Sequence, residues 1–369
     1  MKSIALDLRP LSIPEKAQRG TAHISRSLLE HARLMEGDME YTLLLAPDQK
    51  PPEQCGSLRR YVLPWTYGDI SRSDWLAESR RTGRFLNELN PDLYHAPDLY
   101  MPRGFTGPVV VTACDYFELP IVGPVRLFGQ TYGWRWNFRF RFRYRWTWRT
   151  MISHAACVAT ISHTTAQRVR HRFPSLADRV VAVPLGLDET WFTPPSPRPD
   201  VLAKYGLDRP LILHVGGLEK RKNPQGVLNT FQRLRREMPT AHLALAGPLH
   251  GPKTESPGVH VLGFLPLDDL QRLYAAADCL LYPSFDEGFG LPVVEALAMG
   301  CPVVTSRGTA TEEVAMGHAS LVDPSNADEI YFAVLSILRS PRPMPAADLN
   351  RSVDTAKSYF SLYRECLRS

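Results

Sequence analysis

The sequence predicts an α/β protein with two doubly wound domains, because three observations agree. Short apolar runs of strand length alternate with amphipathic segments of helix length over most of the chain, which is typical of βα units and parallel sheets. Six prolines from Pro184 to Pro210 interrupt this alternation near the middle. With 369 residues, of which 44% are hydrophobic, the chain is long enough to fill two cores.

The first half is expected to form a domain over residues 1–190. Its strands are predicted at 3–8, 41–46, 60–64, 92–96, 108–114, 156–161 and 180–184. Helices are predicted near 22–34 and 73–89, between the strands. The proline-rich residues 191–209 favour an extended linker, since closely spaced prolines suit neither a helix nor a strand interior.

The second half restarts the alternation and is expected to form a domain over residues 210–345. Its strands are predicted at 211–215, 242–246, 259–262, 279–283, 302–305 and 319–322. Its helices are predicted at 224–237, 267–277, 292–299 and 326–339. Residues 346–369 carry apolar residues at helical spacing, so we expect a final helical segment that crosses back to the first domain.

Charge is distributed unevenly along the chain. There are 43 basic and 38 acidic side chains, which gives a formal net charge of +5. No acidic residue lies between Glu118 and Asp178, whereas that segment contains ten arginines. Without those ten, 33 basic and 38 acidic residues remain, so the rest of the chain has a net charge of −5. A cationic coat for nucleic acid is therefore disfavoured.

Cysteine usage and hydropathy indicate a cytoplasmic protein. The six cysteines are widely separated and form no C-x-x-C pair, so neither structural zinc nor a disulfide framework is predicted. No apolar run approaches the roughly 20 residues that a membrane-spanning helix needs. Asp7 and Arg9 lie where a signal peptide would continue its apolar segment.

The first motif that indicates chemistry is SFDEGFGLPVVE, from Ser284 to Glu295. It follows an apolar strand and enters a helix at Pro292, and unpaired N–H groups at such a helix start suit a phosphate or a sugar hydroxyl. Glu287 lies on the loop and Glu295 about one turn into the helix, where two carboxylates can accept hydrogen bonds from an extended ligand. Either glutamate alone also fits a structural role near the helix start.

The second motif is HVGGLEKRKNP, residues 214–224. A strand ends in a glycine pair, and Arg221 and Lys222 follow in a turn just before a helix capped by Asn223. An arginine can bind a diphosphate in a bidentate manner, and a lysine can bind it as a point charge. A solvated turn is the alternative interpretation of these cations.

Together the two motifs resemble the C-terminal domain of the family-4 retaining glycosyltransferases of GT-B fold, in particular a mannosyltransferase-like branch. The loop reads VGGLEKRKN, and the glutamates of EGFGLPVVE keep the family's spacing of seven intervening residues. The similarity is dense over residues 210–340 and weaker in the first half. The resemblance implies two Rossmann-like doubly wound domains that face a central cleft.

The resemblance also implies roles for individual residues. Arg221 and Lys222 would face the diphosphate of a nucleotide sugar, and Glu295 would bind its ribose hydroxyls. Glu287 would face the transferred sugar and, with the two cations, complete the catalytic set. The backbone amides that accompany Glu287 are those of Gly288, Phe289 and Gly290.

The remaining substrate-binding positions that the resemblance implies are Leu291, Gly217, Gly20 and Asp115. The chain has Cys114-Asp115 where this branch commonly has His-Asp after a strand. No Asp-x-Asp motif occurs, so we expect no metal and no cofactor besides the donor itself.

Residues 134–149 read WRWNFRFRFRYRWTWR, with strict alternation of arginine and aromatic residues from Arg139 to Trp146. We expect a helix there. Contact of residues 126–149 with an anionic membrane surface is one interpretation. An internal or oligomer-forming segment, with arginine stems packed over rings, is the second. Nucleic-acid binding by stacking is the third and the least favoured.

The sequence therefore predicts an enzyme, a retaining hexosyltransferase. We expect it to move a mannose-type sugar from a GDP-linked donor to a glycan or lipid-linked acceptor in surface polysaccharide assembly, such as that of lipopolysaccharide. A peripheral location on the inner face of the cytoplasmic membrane would suit that acceptor. The alternatives are a nucleotide-sugar epimerase or a phosphorylase on the same fold, or a non-catalytic binding subunit.

Overall fold

The structure is a computed structural model of the chain. The residues it describes are 2–12, 20–35, 39–47, 49–51, 58–66, 74–114, 125–127, 130–132, 146–193, 200–247 and 256–368. By its contacts the chain divides into two compact units. The first unit comprises Met1–Tyr116, Asn137–Gly186 and Asn350–Ser369, and the second comprises Phe117–Trp136 and Leu187–Leu349.

The first half of the chain contains nine of the described strands. In chain order they are β1 (Lys2–Asp7), β2 (Met39–Leu45), β3 (Arg59–Val62), β4 (Leu93–Ala96), β5 (Val109–Ala113), β6 (Val125–Leu127), β7 (Gln130–Tyr132), β8 (Cys157–Thr160) and β9 (Val180–Ala182). Seven of them form a parallel sheet in the order β3-β2-β1-β4-β5-β8-β9, and β6 and β7 pair as an antiparallel hairpin. The central strands are buried apolar runs, as expected for a parallel sheet covered on both faces.

Three helices of this half lie within the first unit. They are α1 (Gly20–Glu30), α2 (Trp75–Leu89) and α3 (His163–Arg172). The start of α3 is fixed by Ser162, whose side chain accepts a hydrogen bond from the backbone N–H of Thr165. The sequence analysis predicted α1 and α2 but not α3, which carries few apolar residues.

The second unit is built on a six-stranded parallel sheet. Its strands are β10 (Leu211–Val215), β11 (His242–Ala246), β12 (Val259–Gly263), β13 (Cys279–Tyr282), β14 (Val303–Ser306) and β15 (Ser320–Val322). They lie in the order β12-β11-β10-β13-β14-β15, so the direction of strand addition reverses between β10 and β13. In sheets of this kind, ligands bind at the carboxyl ends of the strands beside such a reversal.

The helices of the second unit are α4 (Asp200–Lys204), α5 (Pro224–Glu237), α6 (Leu267–Ala276), α7 (Leu291–Ala298), α8 (Ala310–Ala315) and α9 (Ala327–Arg339). Phe231 and Leu234 of α5 pack with Val334 of α9 against Ile212 and Leu281 of the sheet. This buried apolar layer fixes the elements whose ends carry both motifs.

The C-terminal helix α10 (Ser352–Cys366) belongs to the first unit. Its buried tyrosines bind two strands of the first sheet. The Tyr363 hydroxyl is 2.6 Å from His95 Nδ1, and the Tyr359 hydroxyl is 2.8 Å from Thr112 Oγ1. His95 Nε2 lies 3.0 Å from the same Thr112 oxygen, so a continuous hydrogen-bond chain joins α10 to β4 and β5.

The prediction of an α/β chain with two parallel sheets is confirmed, and most strands and helices lie within two residues of their expected bounds. One segment differs from its prediction. Residues 191–209 were expected to form an extended linker, and of these residues 194–199 lie outside the described ranges. Helix α4 occupies Asp200–Lys204, and the buried Trp191 ring has its centroid 6.0 Å from that of Tyr274. The prolines cluster before residue 200, and the sequence DVLAK that follows them is compatible with a helix.

Candidate active site

Two neighbouring strands of the second sheet carry the two motifs at their carboxyl ends. Strand β10 ends at Val215 and leads into the loop Gly216–Gly217, while β13 ends at Tyr282 and leads into the loop before α7. Gly216 has φ +118°, and a Cβ there would lie 2.9 Å from Lys222 Nζ. Glycine is thus needed at this position both for its backbone conformation and for the close approach of the lysine. Gly217 is buried beside it.

The cationic turn is held rigidly between the two loops. Lys220–Lys222 forms a single 3₁₀ turn, and Asn223 follows with φ 53° and caps α5 by accepting from Gly226 N at 3.0 Å. The other side of the Asn223 amide donates to Pro324 O at 2.7 Å. The carbonyl of Arg221 accepts from Phe285 N at 2.7 Å, which ties the cationic turn directly to the second motif.

The structure brings Glu287, Arg221 and Lys222 together in one buried cluster. Arg221 Nη1 is 2.6 Å from Glu287 Oε2, and Lys222 Nζ is 3.1 Å from Glu287 Oε1. Tyr282 and Ser284 also donate to Oε1, at 2.7 and 3.1 Å. Burial by itself raises the pKa of Glu287, but the charges of Arg221 and Lys222 outweigh it and hold the pKa at about 2. Glu287 is therefore a carboxylate at any physiological pH.

The cations of this cluster are balanced by two carboxylates rather than one. Arg221 Nε donates to Glu219 Oε2 at 3.0 Å, in addition to its pair with Glu287. Burial lowers the pKa of Lys222, and the charge of Glu287 offsets part of that effect. With both residues charged, Arg221 and Lys222 are matched by Glu219 and Glu287.

Glu295 occupies a different environment, although it lies in the same motif. It is buried on α7, and its Oε2 accepts from the Tyr274 hydroxyl at 2.9 Å. Burial raises the pKa of Glu295 to about 7, and the charge of Asp188 acts in the same direction. The motif thus contains one carboxylate that is permanently charged and one that titrates near neutral pH.

The glycine-bearing loop between the two glutamates is buried and closely packed. Gly290 has φ +107°, and a Cβ there would lie 2.8 Å from Thr311 Cγ2. Gly288 and Phe289 are buried next to it, and Leu291 begins α7. The N-cap residue of this helix is Gly290, which makes no side-chain cap hydrogen bond, and a helix start of this kind suits an anion or a hydroxyl.

The acceptor-side residues expected from the sequence lie in the first unit. Gly20 is the first residue of α1, and a Cβ there would lie 3.5 Å from Cys114 Sγ. Thr21 Oγ1 is 3.8 Å from the same sulfur, so Cys114 lies at the start of α1. Asp115 lies outside the described residues, and its predicted role stays a prediction.

Sequence reasoning missed the residues that support the two glutamates. Tyr282 and Tyr274 are fully buried, and each donates its hydroxyl proton to one of them. The available signal was a tyrosine at the last position of an otherwise apolar strand, CLLY, at the carboxyl edge where ligands bind. Glu219 was likewise part of the quoted motif but was assigned no role.

Only the end of the arginine-aromatic stretch is described. Thr147–Met151 forms a π-helical turn, and residues 133–145 lie outside the described ranges. The Trp146 ring packs edge-on against Trp75 at 5.7 Å, and the buried Trp148 stacks on Phe173 at 5.3 Å. These two rings therefore pack inside the first unit, whereas Arg149 is exposed.

Two features are absent from the described part of the chain. None of its helices is both long enough and apolar enough to cross a bilayer. Its histidine, cysteine, aspartate and glutamate side chains form no group of three or more with the arrangement of a metal site.

Comparison with known proteins identifies the family. The family model "Glycosyl transferase 4-like domain" matches residues 20–186, and "Glycosyl transferases group 1" matches residues 209–340. O-antigen chain mannosyltransferase B of Escherichia coli is 31% identical over 284 residues, which span 72% of this chain and 70% of that protein. The chain belongs to the group 1, family-4-like glycosyltransferases. The resemblance expected from the two motifs is confirmed.

Two further relatives of this glycosyltransferase are also named mannosyltransferases. The GDP-mannose-dependent α-(1-6)-phosphatidylinositol monomannoside mannosyltransferase of Mycolicibacterium smegmatis is 31% identical over 254 residues, spanning 61% of this chain and 65% of that protein. The MMP α-(1→4)-mannosyltransferase of Mycolicibacterium hassiacum is 32% identical over 199 residues, which are 50% of this chain and 46% of that protein. The enzyme thus spans about half to two thirds of the length of these two relatives.

Solved structures establish the fold of the glycosyltransferase. Sucrose-phosphate synthase of Thermosynechococcus elongatus matches with a TM-score of 0.72 at 19% identity, covering 100% of both chains. HepE of Anabaena in complex with UDP and glucose matches with a TM-score of 0.66 at 15% identity, covering 99% of both chains. The GT-B fold predicted from the sequence is confirmed, with its two parallel sheets of seven and six strands.

Proposed function

We propose that this glycosyltransferase is a retaining mannosyltransferase that uses GDP-mannose and extends a glycan or lipid-linked acceptor in surface polysaccharide assembly. The observation that carries the proposal is the buried cluster of Arg221, Lys222 and Glu287 at the carboxyl ends of β10 and β13. The mannosyltransferase relatives support the choice of sugar, and the name of one of them supports the choice of GDP.

The two cations account for the proposed chemistry of the leaving group. Cleavage of the bond between the sugar and the diphosphate places negative charge on the leaving oxygen. Preorganised cations in a site with little water stabilise that developing charge more than they stabilise the bound donor. Arg221 and Lys222 are 14% and 10% exposed at their side chains, so water screens them weakly.

The two glutamates would bind the two ends of the donor. Glu295 would accept hydrogen bonds from the ribose hydroxyls, and Glu287 would face the transferred sugar together with the amides of Gly288, Phe289 and Gly290. Glu287 and Glu295 are joined only by one loop and the first turn of α7, and this proximity supports contacts of both glutamates with the same ligand.

Substitution of either cation tests this assignment. Arg221→Ala and Lys222→Ala are each expected to lower the rate of transfer by about two decades or more while the protein stays folded. The rate is followed as GDP released from GDP-mannose, and folding by circular dichroism. Near-normal turnover in both variants would remove the two residues from the mechanism.

A thermal-shift panel identifies the donor. GDP-, UDP-, ADP- and dTDP-sugars are compared at equal concentration, because a ligand that binds the native state raises its melting temperature by mass action. GDP-mannose is expected to give the largest shift. A larger shift with UDP-glucose would overturn the choice of GDP-mannose and leave the transferase itself in place.

The charge of Arg221 and Lys222 also leads us to propose that transfer needs no divalent metal ion. In the proposed complex these cations would neutralise the diphosphate in place of a metal. Turnover measured with EDTA is expected to equal turnover with added Mg²⁺. Loss of the rate in EDTA and its recovery with Mg²⁺ would contradict this part of the proposal.

We further propose that the enzyme meets its acceptor at the inner face of the cytoplasmic membrane, through residues 126–149. Support comes from the seven arginines that these residues contain without any acidic residue, and from the exposure of Arg149. The enzyme is expected to sediment with vesicles that contain anionic phospholipid, and a variant with reversed charges at 139–145 is expected to stay in the supernatant. If the wild type and the variant sediment equally with the vesicles, the proposed membrane contact is refuted.

A further inference from the structure

We propose that Tyr282 is a positioning residue of the donor site, whose hydroxyl fixes Lys222 and Glu287 in one geometry. The inference rests on the proposed function, in which Lys222 faces the diphosphate. The Tyr282 oxygen accepts a hydrogen bond from Lys222 Nζ, and its hydroxyl donates to Glu287 Oε1 at 2.7 Å. One hydroxyl therefore joins the cation of the first motif to the carboxylate of the second.

The ring that carries this hydroxyl has little freedom to move. Tyr282 is the last residue of β13 and is 1% exposed. Its ring lies nearly parallel to that of His214 on the neighbouring strand β10, with the centroids 5.8 Å apart. On the other side, its carbonyl accepts from Thr305 Oγ1 of β14 at 2.9 Å. Contacts on both adjacent strands thus fix the position of the hydroxyl.

The direction of both hydrogen bonds follows from the protons available. Burial raises the pKa of Tyr282 well above its ordinary value, so the hydroxyl keeps its single proton. Glu287 is a carboxylate and can only accept, so this proton points to Oε1. The ammonium of Lys222 can only donate, and it therefore uses a lone pair of the same oxygen.

The arrangement leaves part of Lys222 for a ligand. Two of its three N–H groups are used by Tyr282 and by Glu287 Oε1. Close packing against Gly216 limits the aliphatic stem, since a Cβ on that glycine would lie 3.0 Å from Lys222 Cε. With its stem and two of its protons held, the third N–H has a defined direction.

The ring behind Tyr282 contributes no competing charge. His214 Nδ1 carries the proton, because it donates to the Leu281 carbonyl at 2.9 Å. Burial lowers the pKa of His214 to about 4, so the imidazole is neutral at physiological pH. The electrostatic environment of Lys222 is thus set by Arg221 and the carboxylates and not by a titrating histidine.

Tyr282→Phe tests the proposal, because it removes the hydroxyl and keeps the buried ring. With GDP-mannose as donor, kcat is expected to fall about tenfold to hundredfold, while KM changes less than about threefold. The reason is that a misplaced Lys222 loses more interaction with the developing charge than with the bound donor. A melting temperature close to that of the wild type is expected to accompany the loss.

Two control variants separate positioning from general damage. Tyr331→Phe removes another tyrosine hydroxyl, which binds Glu237 between α5 and α9, and is expected to leave kcat unchanged. Ser284→Ala removes a different donor to Glu287 Oε1 that makes no hydrogen bond to Lys222, so it measures the loss that runs through Glu287, and a smaller fall in kcat than that of Tyr282→Phe is expected. If Ser284→Ala lowers kcat as much as Tyr282→Phe, the effect runs through Glu287 and the positioning of Lys222 is refuted.

A double-mutant cycle with Lys222→Met gives the decisive readout. If Tyr282 acts through Lys222, its substitution costs at most about twofold in the Lys222→Met background. Equal losses in both backgrounds would show that the hydroxyl acts independently, which overturns the inference. Should the wild-type enzyme release no GDP from GDP-mannose, the proposed function fails and the inference fails with it. Should Lys222→Met be inactive while Tyr282→Phe keeps the wild-type kcat, only the inference fails.

Discussion

Glu287→Gln is the substitution for which the structure gives the clearest magnitude. The change keeps the shape of the side chain and removes its charge. The pKa of Glu287 is held at about 2 against an ordinary value of 4.5, because Arg221 and Lys222 outweigh the effect of burial. That difference corresponds to about 3 kcal/mol of native-state stability, since one pKa unit is worth about 1.4 kcal/mol.

The sign of the pH dependence follows from the lowered pKa. A carboxyl group whose pKa is depressed by folding contributes its stability above pH 4.5 and loses it as the pH falls towards 2. We therefore expect Glu287→Gln to lower the free energy of unfolding by about 3 kcal/mol at pH 7 and by less than about half of that at pH 3.

Urea unfolding followed by circular dichroism at both pH values measures the effect. Glu329→Gln is a matched control, because its pair with Arg307 at 2.9 Å lies at the surface, where water screens it, and it is expected to have a much smaller effect. A Glu287→Gln variant as stable as the wild type at pH 7 would refute the reasoning. So would a loss of stability that does not change between pH 7 and pH 3.

Two further predictions concern Glu295 and Gly186. Burial raises the pKa of Glu295 to about 7, so this carboxyl ionises between pH 6 and pH 8. Over that range the affinity of the wild type for GDP is expected to rise, whereas Glu295→Gln is expected to bind GDP weakly at both pH values. Calorimetric titration measures both affinities, and a wild-type affinity that does not change with pH would contradict a ribose contact. Folding favours the protonated form of the Glu295 carboxyl, so its contribution to stability is present below pH 4.5 and is lost as the pH rises through 7. Glu295→Gln is therefore expected to be more stable than the wild type mainly at pH 8. At Gly186 a Cβ would lie 2.0 Å from the Arg351 carbonyl oxygen, so Gly186→Ala is expected to lower the free energy of unfolding by about 2 kcal/mol or more. An unchanged melting temperature would show that the segments carrying Gly186 and Arg351 move apart easily.

Most elements of the second unit, though not the short helices α4 and α8, could be predicted closely because their signals are local. Helix α5 begins at Pro224 and ends at Glu237 as expected, since Asn223 and Pro224 are a cap and a first-turn residue that mark the start whatever surrounds them. Strand β10 is a continuous apolar run that also needs no information from distant residues. In both cases the determining chemistry lies within a few positions of the element.

The charge balance of the site could not be predicted in the same way. The sequence places Arg221 and Lys222 in a turn close to Glu219, but Glu287, the carboxylate that pairs with both cations, lies more than sixty positions later. The pairing exists because β10 and β13 are neighbours in the sheet, which is a consequence of the strand order. The hydrogen bonds of Tyr282 with Lys222 and of Tyr274 with Glu295 likewise join residues that are distant in the sequence.

The two glutamates of EGFGLPVVE show why motif spacing alone does not define chemistry. Both are buried to a similar degree, 7% and 8% exposed, so burial raises the pKa of each. Only Glu287 lies beside the cations at the end of β10, and that contact reverses the direction of its shift. Glu295 has Tyr274 as a neutral donor and Asp188 as a nearby negative charge, so its pKa stays high. The cations at the end of β10, the neighbour of β13 in the sheet, therefore decide which carboxylate is always charged and which one responds to pH; the motif itself does not.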